Sequence, residues 1–464
     1  MKLFIRRAQE SKSALGTYLI LIHLVLHRAT AFQSNRLQIC RLSARNKPPS
    51  AMSNPIDNTR DTIGNEWLSG ESGSLERLCT ISLQACMLMN PLISEIYNEL
   101  VSTDNECSVK TVKQDNSAFT IADGLVQRMF VDILFSNAAF RDIVGEEDAA
   151  AVDQGEETTW DHVQGLVIPQ ELRPLVETTK ENIRALAKSL DNTKSYQDIT
   201  IFIDPIDGTR EFSTGKGEQC SVCIGFANEY GTAVAGVVYR PLTPRPTWAA
   251  GAKCEGYAAC DFGENVEKFA GGGVLTSNGS ISPFIEGLIH EFQTKRIKTG
   301  GAGNKMLLLF ERSLQQGKSE GNQIDATPSN SLLYIQDRGV SRWDTCAAEA
   351  VLEAFGGKIL KLTHILDSEM NDMSGVESQG RYHYLASETN LDFVPGRARL
   401  TKYNSIDSET IQLNQLATDV RQVKPYSNLC GLVAFGKEWN SERGLTHISQ
   451  TILKAAQMNE PSYD

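Results

Sequence analysis

A short run of β-branched and aromatic residues that ends in paired acids constrains this chain more than any other stretch. Residues 199–203 read Ile-Thr-Ile-Phe-Ile, which predicts a buried strand, and residues 204–209 follow as Asp-Pro-Ile-Asp-Gly-Thr. Open α/β sheets bind ligands at the carboxyl ends of their strands, so we expect the second segment to face a site. Pro205 has no N–H for the ladder and Gly208 allows unusual backbone angles, so the strand should end in a tight turn.

The turn brings together oxygen atoms of the kind that hard cations prefer. Asp204 and Asp207 are three residues apart and can converge with the carbonyl of Ile206, while the hydroxyl of Thr209 lies beside them. Such an all-oxygen set suits Mg²⁺. Asp-Pro and Asp-Gly turns with solvated carboxylates are common, so this stretch alone does not establish a metal site. The similar segment 54–60 lacks the first carboxylate and a preceding strand, and we interpret it as leader or loop.

The composition is that of a globular protein without a basic surface. The 464 residues carry a net charge of −12 and a pI near 5.2, which argues against binding to a nucleic acid polymer. Ten cysteines and seven histidines show neither a dense disulfide framework nor a zinc pattern. Cys220 and Cys223 form a CxxC inside the strand-like run 219–227, where core packing is the expected role and a redox switch is the alternative.

Residues 1–50 have the composition of a targeting leader. Basic residues precede the apolar run 14–26, and Ala29-Thr30-Ala31 then supplies a small-residue cleavage pattern. The run is shorter than the roughly 20 residues that span a bilayer, so it predicts a signal peptide and no membrane anchor. A basic segment without acids follows and begins with Phe32. This two-part arrangement resembles the leaders of proteins sent to complex plastids, with plain secretion as the alternative.

The folded body is expected to begin after a polar linker over residues 51–73. Apolar residues at steps of three and four predict a helix over residues 75–100, which should cover the sheet. Ser74 is its expected cap, and Pro91 is expected to bend it.

Two further acids stand at places where a structural role is also reasonable. A helix begins near Thr120 and has Asp123 in its first turn, where the helix dipole alone favours an acid. Glu146 follows a short apolar run and a glycine, as it would in a solvated loop. Residues 149–198 then predict a surface insertion with a helical part around residues 175–190.

Strand patterns and a second insertion make up much of the remaining chain. Two paired strands, a possible third strand and a closing strand-helix pair are predicted, and the polar stretch between the two groups is interpreted as an insertion. The strands cover residues 219–227, 232–239, 247–250 and 429–435, the insertion covers 361–428, and the last helix ends near 456.

A glycine-rich loop and an acid at a helix start are further site candidates. Residues 300–305 read Gly-Gly-Ala-Gly-Asn-Lys and open an apolar helix over 306–314. Bare N–H groups at a helix start favour an anion and Lys305 adds positive charge, although such loops are usually only turns. Asp344 begins a helix that runs to Phe355 and stops at two glycines, and it could act simply as an N-cap.

Four separated segments resemble, in chain order, the motifs of the inositol monophosphatase superfamily of lithium-sensitive, Mg²⁺-dependent phosphomonoesterases. They are Asp123, Gly145-Glu146, residues 204–209 and Trp343-Asp344, and the resemblance covers most of residues 75–360. It implies that two or three Mg²⁺ ions are held near mutually repelling carboxylates. The expected metal ligands are Glu146, Asp204, Ile206, Asp207 and Asp344.

The same resemblance implies roles for the other candidates. Thr209 paired with Asp123 would orient and deprotonate the attacking water, so these two are the expected catalytic residues. The amide N–H groups of the glycine loop and its lysine would bind the anionic substrate. The expected substrate-binding residues are Thr276, Gly301, Lys305 and Asp344.

The resemblance also implies an α/β fold built as a layered α-β-α-β-α sandwich. We expect an N-terminal α+β domain over residues 74–250 and a C-terminal α/β domain over residues 251–464, which meet at the metals. The leader and the linker precede these two domains.

The motifs are most similar to those of 3'(2'),5'-bisphosphate nucleotidases, which convert adenosine 3',5'-bisphosphate to AMP. The long insertions are more similar to inositol polyphosphate 1-phosphatases, so inositol phosphates are the alternative substrates. Nucleotidases carry Thr-Arg-Ser-His-Ser near the base and phosphate, whereas residues 276–280 read Thr-Ser-Asn-Gly-Ser. A non-catalytic phosphonucleotide sensor is the alternative from another class. The expected partner is a small phosphorylated metabolite, and the sequence predicts no oligomeric state.

Overall fold

The computed structural model describes residues 69–102, 110–112, 118–147, 162–163, 166–190, 194–262, 271–318, 330–337, 340–367, 380–385, 427–428 and 431–461. All of them belong to one compact unit of the chain. The predicted leader, residues 51–68 of the predicted linker and segment 54–60 lie outside the described residues. The domain boundaries stay a prediction.

The described chain contains both helices and strands, and within its described residues no α-helix divides the group of strands over residues 221–276. The helices are α1 Leu75–Ser102, α2 Ile121–Arg128, the π-helix Met129–Leu134, α3 Arg173–Ala187, α4 Thr209–Ser213, α5 Pro283–Glu291, α6 Ala302–Lys318, α7 Arg342–Ala354, α8 Leu362–Asp367 and α9 Glu442–Met458. The strands are β1 Lys110–Val112, β2 Ala118–Thr120, β3 Asp142–Gly145, β4 His162–Val163, β5 Leu166–Val167, β6 Thr200–Asp207, β7 Ser221–Ala227, β8 Ala233–Arg240, β9 Thr247–Ala252, β10 Tyr257–Asp261, β11 Gly273–Thr276, β12 Arg296–Lys298, β13 Leu332–Gln336, β14 Val340–Ser341, β15 Lys358–Lys361, β16 Ser427–Asn428 and β17 Leu432–Phe435.

Two mixed sheets form the framework. One has six strands in the order β10-β9-β8-β7-β6-β3, with β3 parallel to β6 and the other pairs antiparallel. The other has five strands in the order β12-β11-β13-β17-β15, and β17 runs antiparallel to both of its neighbours. The predicted strands around 219–227, 232–239 and 247–250 are therefore confirmed as β7, β8 and β9.

Three apolar clusters divide the described fold into layers. Ile201 and Ile203 of β6 point to the outer side of the six-stranded sheet, where α1, α2 and α3 cover them. Phe202 points to the opposite side, as alternation along a strand requires, and packs with α6 and α7. Those two helices also cover one face of the five-stranded sheet, and α5, α8 and α9 cover its other face. The predicted α-β-α-β-α layering is thus confirmed.

The central strand does not end at Pro205 as predicted. β6 continues to Asp207, and its pairing with β7 shifts between Asp204 and Asp207, where two residues of β6 oppose one of β7. This bulge accommodates the proline, which has no N–H to donate to the ladder. Gly208 then has a φ of +90°, as its predicted freedom allows, and helix α4 begins at the next residue.

Two predicted insertions contain core elements. Helix α3, within residues 149–198, packs on α1 and on the π-helix, and its Ile183 is fully buried. Within residues 361–428, α8 contributes to the core and Tyr384 is buried between the sheets. Sequence polarity was misleading here, because an amphipathic helix contributes only one face to the core and has a low overall apolar content.

The first predicted helix is confirmed as α1. The hydroxyl oxygen of Ser74 accepts a hydrogen bond from the N–H of Arg77 at 3.1 Å, and the helix runs on through Pro91. Within the described residues, none of the helices has both the length and the apolar character that a membrane crossing requires.

Candidate active site

Three carboxylates from two elements meet in the interior. Asp204 and Asp207 lie at the end of β6, and Asp344 lies in the first turn of α7. One oxygen from each lies within 4.8 Å of the others. Asp344 is held in place by a capping box, in which its Oδ2 accepts the N–H of Ser341 at 2.6 Å. The prediction that these three acids converge is therefore correct.

Burial of these like charges makes the ionised forms unfavourable. Burial, followed by the nearby carboxylates of Glu146, Asp207 and Asp344, raises the pKa of Asp204 well above its usual range. Burial and Asp207 raise the pKa of Asp344 to about 6. Burial also raises the pKa of Asp207, although hydrogen bonds and the charge of Lys305 oppose this shift. A bound cation would reverse these effects.

The donor set fits a hard divalent cation such as Mg²⁺. Asp204 Oδ1 is buried and has no hydrogen-bond donor among the described residues, which is costly for a carboxylate oxygen unless a cation binds it. The surrounding ligands are all oxygen atoms. The carbonyl oxygen of Ile206 lies 3.0 Å from Thr209 Oγ1, and its two lone pairs can also bind a cation.

Glu146 lies beside this group but is not a member of it. The residue directly follows β3, and its N–H donates to the carbonyl of Ile203 at 3.0 Å. Its charge acts on Asp204, yet its carboxylate is not among the three oxygens within 4.8 Å of one another. Its role as a metal ligand stays a prediction.

The expected catalytic pair is in contact. Thr209 Oγ1 lies 3.1 Å from Asp123 Oδ1, within hydrogen-bond distance. The other oxygen of Asp123 accepts the N–H of Thr120 at 2.8 Å and its hydroxyl at 2.5 Å, in a capping box at the start of α2. Asp123 is fully buried. It is therefore more than a helix-dipole residue, because it joins α2 to the turn after β6.

The glycine loop is bound to Asp207. Asp207 Oδ1 accepts the N–H of Ala302 at 2.7 Å, and Oδ2 accepts the N–H of Gly303 at 2.8 Å and the hydroxyl of Ser221 at 2.7 Å. The expectation that the N–H groups of the glycine loop bind the substrate is thus wrong for Gly303, because an internal carboxylate already accepts its N–H. A Cβ on Gly301, whose φ is +63°, would lie 2.8 Å from Asp207 Oδ2.

Lys305 reaches back over the loop. Its Nζ donates to the carbonyl of Gly301 at 3.1 Å and lies 5.1 Å from the ring centroid of Tyr334. The side chain is only 4% exposed, and this burial lowers its pKa, whereas the nearby charges of Asp207, Glu211 and Asp344 raise it. The ammonium group has three donors, so two remain for a ligand.

A polar cavity of about 300 Å³ adjoins the carboxylates. Within the described part of the chain, no side chain or carbonyl pairs with the guanidinium of Arg210, which faces Gly279 across this cavity. The lining includes no aromatic residue. Its members are Arg210, Glu211, Ser277, Asn278, Gly279, Ser280, Gly300, Gly301 and Lys305.

Thr276 lies behind this cavity and does not line it. It is 3% exposed, and its hydroxyl oxygen accepts the Nε–H of Arg296 at 2.8 Å. The same guanidinium donates to the carbonyl of Ser277 at 3.0 Å. Thr276 thus helps to hold the strand end from which Ser277 and Asn278 enter the cavity.

The CxxC pair is divided between two cores. Cys220 and Cys223 are buried free thiols, and they belong to the apolar clusters on opposite sides of the six-stranded sheet. Residues three apart along an extended chain point in opposite directions, so this pair cannot close a disulfide without rearranging the strand. The expected packing role is supported.

Three functional candidates escaped the sequence analysis. Ser221 donates to Asp207, Arg210 lines the cavity, and Gln127 contacts the segment that carries Glu146. The spacing of Asp123 and Gln127 was an available signal, because residues four apart share one helix face. No local signal pointed to Ser221, whose partner is defined by strand pairing.

Sequence comparisons with known proteins agree with these motifs. A sequence profile described as the inositol monophosphatase family matches residues 75–388. The chain is 26% identical over 329 residues to inositol monophosphatase 3 of Xenopus laevis, a match covering 68% of this chain and 82% of the relative. It is 27% identical over 289 residues to 3'(2'),5'-bisphosphate nucleotidase 1 of Homo sapiens, covering 60% and 81%. The solved extragenic suppressor protein suhB from Bartonella henselae aligns with 82% of this chain and 99% of its own, at 13% identity and a TM-score of 0.40.

Proposed function

The chain belongs to the inositol monophosphatase family and is a phosphoric monoester hydrolase, and we propose that it converts adenosine 3',5'-bisphosphate to AMP with the help of Mg²⁺. Relatives named as nucleotidases and as inositol monophosphatases both match it, at 27% and 26% identity. The family thus leaves the substrate open. The similarity of the site motifs to those of bisphosphate nucleotidases favours the nucleotide, and the charges of the cavity favour a substrate with two phosphates.

The carboxylate group is the proposed Mg²⁺ site. Asp204, Asp207, Asp344 and the carbonyl of Ile206 would hold two or three ions, with Glu146 as a further ligand. When bound, Mg²⁺ supplies Lewis-acid chemistry that favours ionisation of a water and stabilises the leaving alkoxide. The unpartnered oxygen of Asp204 is the structural feature that supports a cation here.

The pair Thr209 and Asp123 is the proposed base system. Thr209 Oγ1 can accept a hydrogen bond from the attacking water while its own proton is directed at Asp123 Oδ1, 3.1 Å away. Proton transfer would then run from the water to Thr209 and from Thr209 to Asp123. The contacts of Thr120 with the other carboxylate oxygen keep Asp123 in the orientation that this transfer needs.

One observation carries the choice of a substrate with two phosphates. Beside a site full of carboxylates, the cavity contains two cations, Lys305 and Arg210, and the guanidinium of Arg210 has no partner within the described residues. A free guanidinium favours a phosphate, which it can bind through two parallel hydrogen bonds. One phosphate would lie at the metals near Lys305, and the second would lie near Arg210.

The lining of the same cavity favours a second candidate. Ser277, Asn278 and Ser280 offer small polar groups and no aromatic surface, which suits the hydroxyls of an inositol ring better than a stacked adenine. Inositol 1,4-bisphosphate also has two phosphates, so it would use the same cations. It is the alternative substrate.

A substrate panel tests the proposal. The full chain is assayed for phosphate release from adenosine 3',5'-bisphosphate, inositol 1,4-bisphosphate and inositol 1-phosphate, with Mg²⁺ and after its removal by EDTA. We expect Mg²⁺-dependent turnover, with adenosine 3',5'-bisphosphate as the best substrate. Asp204→Asn is the control, since it removes a proposed ligand and should abolish the Mg²⁺-dependent rate.

Each other outcome has a defined meaning. Preference for inositol 1,4-bisphosphate would overturn the nucleotidase proposal and leave the metal chemistry standing. Full activity without a divalent cation would contradict the metal proposal. Binding of adenosine 3',5'-bisphosphate with no turnover of any of the three esters would favour the non-catalytic sensor.

A further inference from the structure

The side chain of Gln127 is hydrogen-bonded to the backbone of Glu147 at two points. Its Oε1 accepts the N–H of Glu147 at 2.9 Å, and its Nε2 donates to the carbonyl of the same residue. The carboxamide thus forms the two backbone hydrogen bonds that a residue of a neighbouring strand would form. Gln127 and Glu147 are 7% and 4% exposed, so the contact is protected from water.

A glycine allows this contact. A Cβ on Gly145 would lie 2.3 Å from both Cδ and Oε1 of Gln127, closer than non-bonded atoms approach. A side chain at this position would displace the carboxamide. Gly145 therefore lets the amide of Gln127 lie directly against the backbone of the β3 end.

Hydrogen bonds on both sides therefore hold the backbone of Glu146 in place. Its own N–H is bound to the carbonyl of Ile203 in β6, and the next residue is held by Gln127 of α2. The Glu146 backbone therefore cannot shift towards or away from Asp204 without breaking one of these contacts. Because a glutamate side chain is flexible, a fixed backbone limits the region in which its carboxylate can lie.

Helix α2 connects this contact to the rest of the site. Asp123 and Gln127 are one helical turn apart on the same face, and Asp123 contacts Thr209. One short helix therefore contacts both the turn after β6 and the segment after β3. A shift of α2 would disturb both together.

We propose that Gln127 is a positioning residue that holds the backbone around Glu146 so that this carboxylate can complete a divalent cation site with Asp204. The proposal rests on the Mg²⁺ dependence proposed above. It assigns Gln127 no contact with substrate or metal. It predicts that the pair of hydrogen bonds between Gln127 and Glu147, which we call the clamp, affects the affinity for the cation.

Mg²⁺ binding to the metal-free full chain, measured by titration calorimetry, tests this inference. Gln127→Ala should weaken Mg²⁺ binding by about 10-fold or more, the loss that follows removal of groups which orient metal ligands. Gln127→Glu, of nearly the same shape, cannot donate to the Glu147 carbonyl when ionised and should also bind Mg²⁺ more weakly. If the alanine variant fails to fold, the Mg²⁺ affinity of Gln127→Glu provides the test instead.

Val126→Ala is the matched control. Val126 is the neighbouring residue, 1% exposed and part of the apolar core. Its truncation should lower the thermal midpoint of the metal-free protein and leave the Mg²⁺ dissociation constant unchanged. Loss of Mg²⁺ affinity in this variant equal to that in Gln127→Ala would show a general packing effect and overturn the proposal.

A double mutant cycle gives a further readout. Gly145→Ala should weaken Mg²⁺ binding in the wild-type background, because the new methyl group meets the carboxamide of Gln127. In the Gln127→Ala background the same change should have less effect, since the carboxamide that the new methyl group would meet is absent. Full additivity would contradict the clamp.

The wild-type titration separates the two proposals. If the wild-type chain binds no Mg²⁺, the metal site itself fails and the clamp fails with it. If the wild-type chain binds Mg²⁺ and Gln127→Ala binds it equally well, only the positioning role is overturned.

Discussion

Asp207 shows how one side chain can serve the site and the fold together. Its two oxygens accept N–H groups at the start of α6 and the hydroxyl of Ser221, while one of them also lies within 4.8 Å of an oxygen of Asp204 and of Asp344. A carboxylate has about four lone-pair sites, so hydrogen bonds and a cation can share it. The glycine loop is therefore built around an acid, and its remaining binding capacity lies in the Gly301 N–H and Lys305.

At the scale of a single residue, we predict that the Arg210 side chain contributes to substrate binding. Arg210→Ala should raise KM for adenosine 3',5'-bisphosphate about 10-fold, the lower part of the range for a charged hydrogen bond, because the side chain is exposed. The kcat should change little, since we propose that the reacting phosphate binds at the carboxylates and not at Arg210. Steady-state kinetics on this ester and on p-nitrophenyl phosphate, which has one phosphate, provide the measurement.

Lys216→Ala is the control for this variant, because Lys216 is an exposed cation nearby that does not line the cavity. It should leave both KM values unchanged. An equal rise of KM for both substrates in Arg210→Ala would contradict a site for the second phosphate.

At the scale of elements, a short segment within a predicted insertion joins several parts of the fold. Residues 380–385 bind β15 through the N–H of Lys361, the β7–β8 turn through the carbonyl of Gly231, and α7 through Glu349 and Glu353. Tyr384 donates its hydroxyl to the buried carboxylate of Glu349. The segment also reaches the first turn of α7, because the guanidinium of Arg342 donates to the carbonyl of His383 at 2.7 Å.

The segment leads to a prediction about stability and pH. Burial raises the pKa of Glu349 from its ordinary 4.5 to about 8, although the Tyr384 hydroxyl, Arg381 and Lys361 oppose the shift. Between these two pH values the folded protein binds a proton that the unfolded chain releases, so stability falls as pH rises through this range. Glu349→Gln removes that loss and keeps an acceptor for Tyr384. Its thermal midpoint should exceed that of the wild type at pH 9, and the difference should shrink towards pH 5.

Thermal scans of both proteins at pH 5, 7 and 9 check this expectation. Glu181→Gln, an exposed glutamate on α3, is the control and should follow the wild type at every pH. A Glu349→Gln difference that is constant from pH 5 to pH 9 would show that Glu349 does not titrate in this range.

At the scale of the whole molecule, the site forms where the middle helical layer begins. The first N–H groups of α6 bind Asp207, and the first turn of α7 carries Asp344. These two helices are packed between the sheets, and β6 supplies the remaining acids. The layered architecture therefore brings together residues that are 140 positions apart in the chain, as the pair Asp204 and Asp344 illustrates.

The leader is a separate whole-chain prediction, since it lies outside the described residues. Residues 1–50 fused to a fluorescent protein should direct it to the plastid of an alga with complex plastids, because the segment combines a signal-like run with a basic, acid-poor stretch. Fluorescence microscopy is the measurement, and Phe32→Ala should retain the fusion in the secretory route. Secretion of the unaltered fusion would favour the alternative, and cytosolic fluorescence would contradict both readings.

The sequence by itself determined the parts of this protein that depend on neighbouring residues. Local backbone chemistry or periodicity made several features readable from the sequence. They are the acids Asp204, Asp207 and Asp344, the left-handed Gly208, the Ser74 cap and strand β7. The layered fold was implied by a resemblance that the same motifs carried, and the structure confirms it.

Only the tertiary structure decided which partners these residues meet. Contacts between elements distant in the chain decided several features. They are the continuation of β6 past Pro205, the hydrogen bond from the Gly303 N–H to Asp207, the clamp of Gln127 on Glu147, and the guanidinium of Arg210, which has no partner among the described residues. A hydrogen-bonding group in a sequence has many possible partners, and packing selects among them. The converging acids were therefore predictable from the sequence, whereas the groups that hold them in place and the shape of the cavity were not.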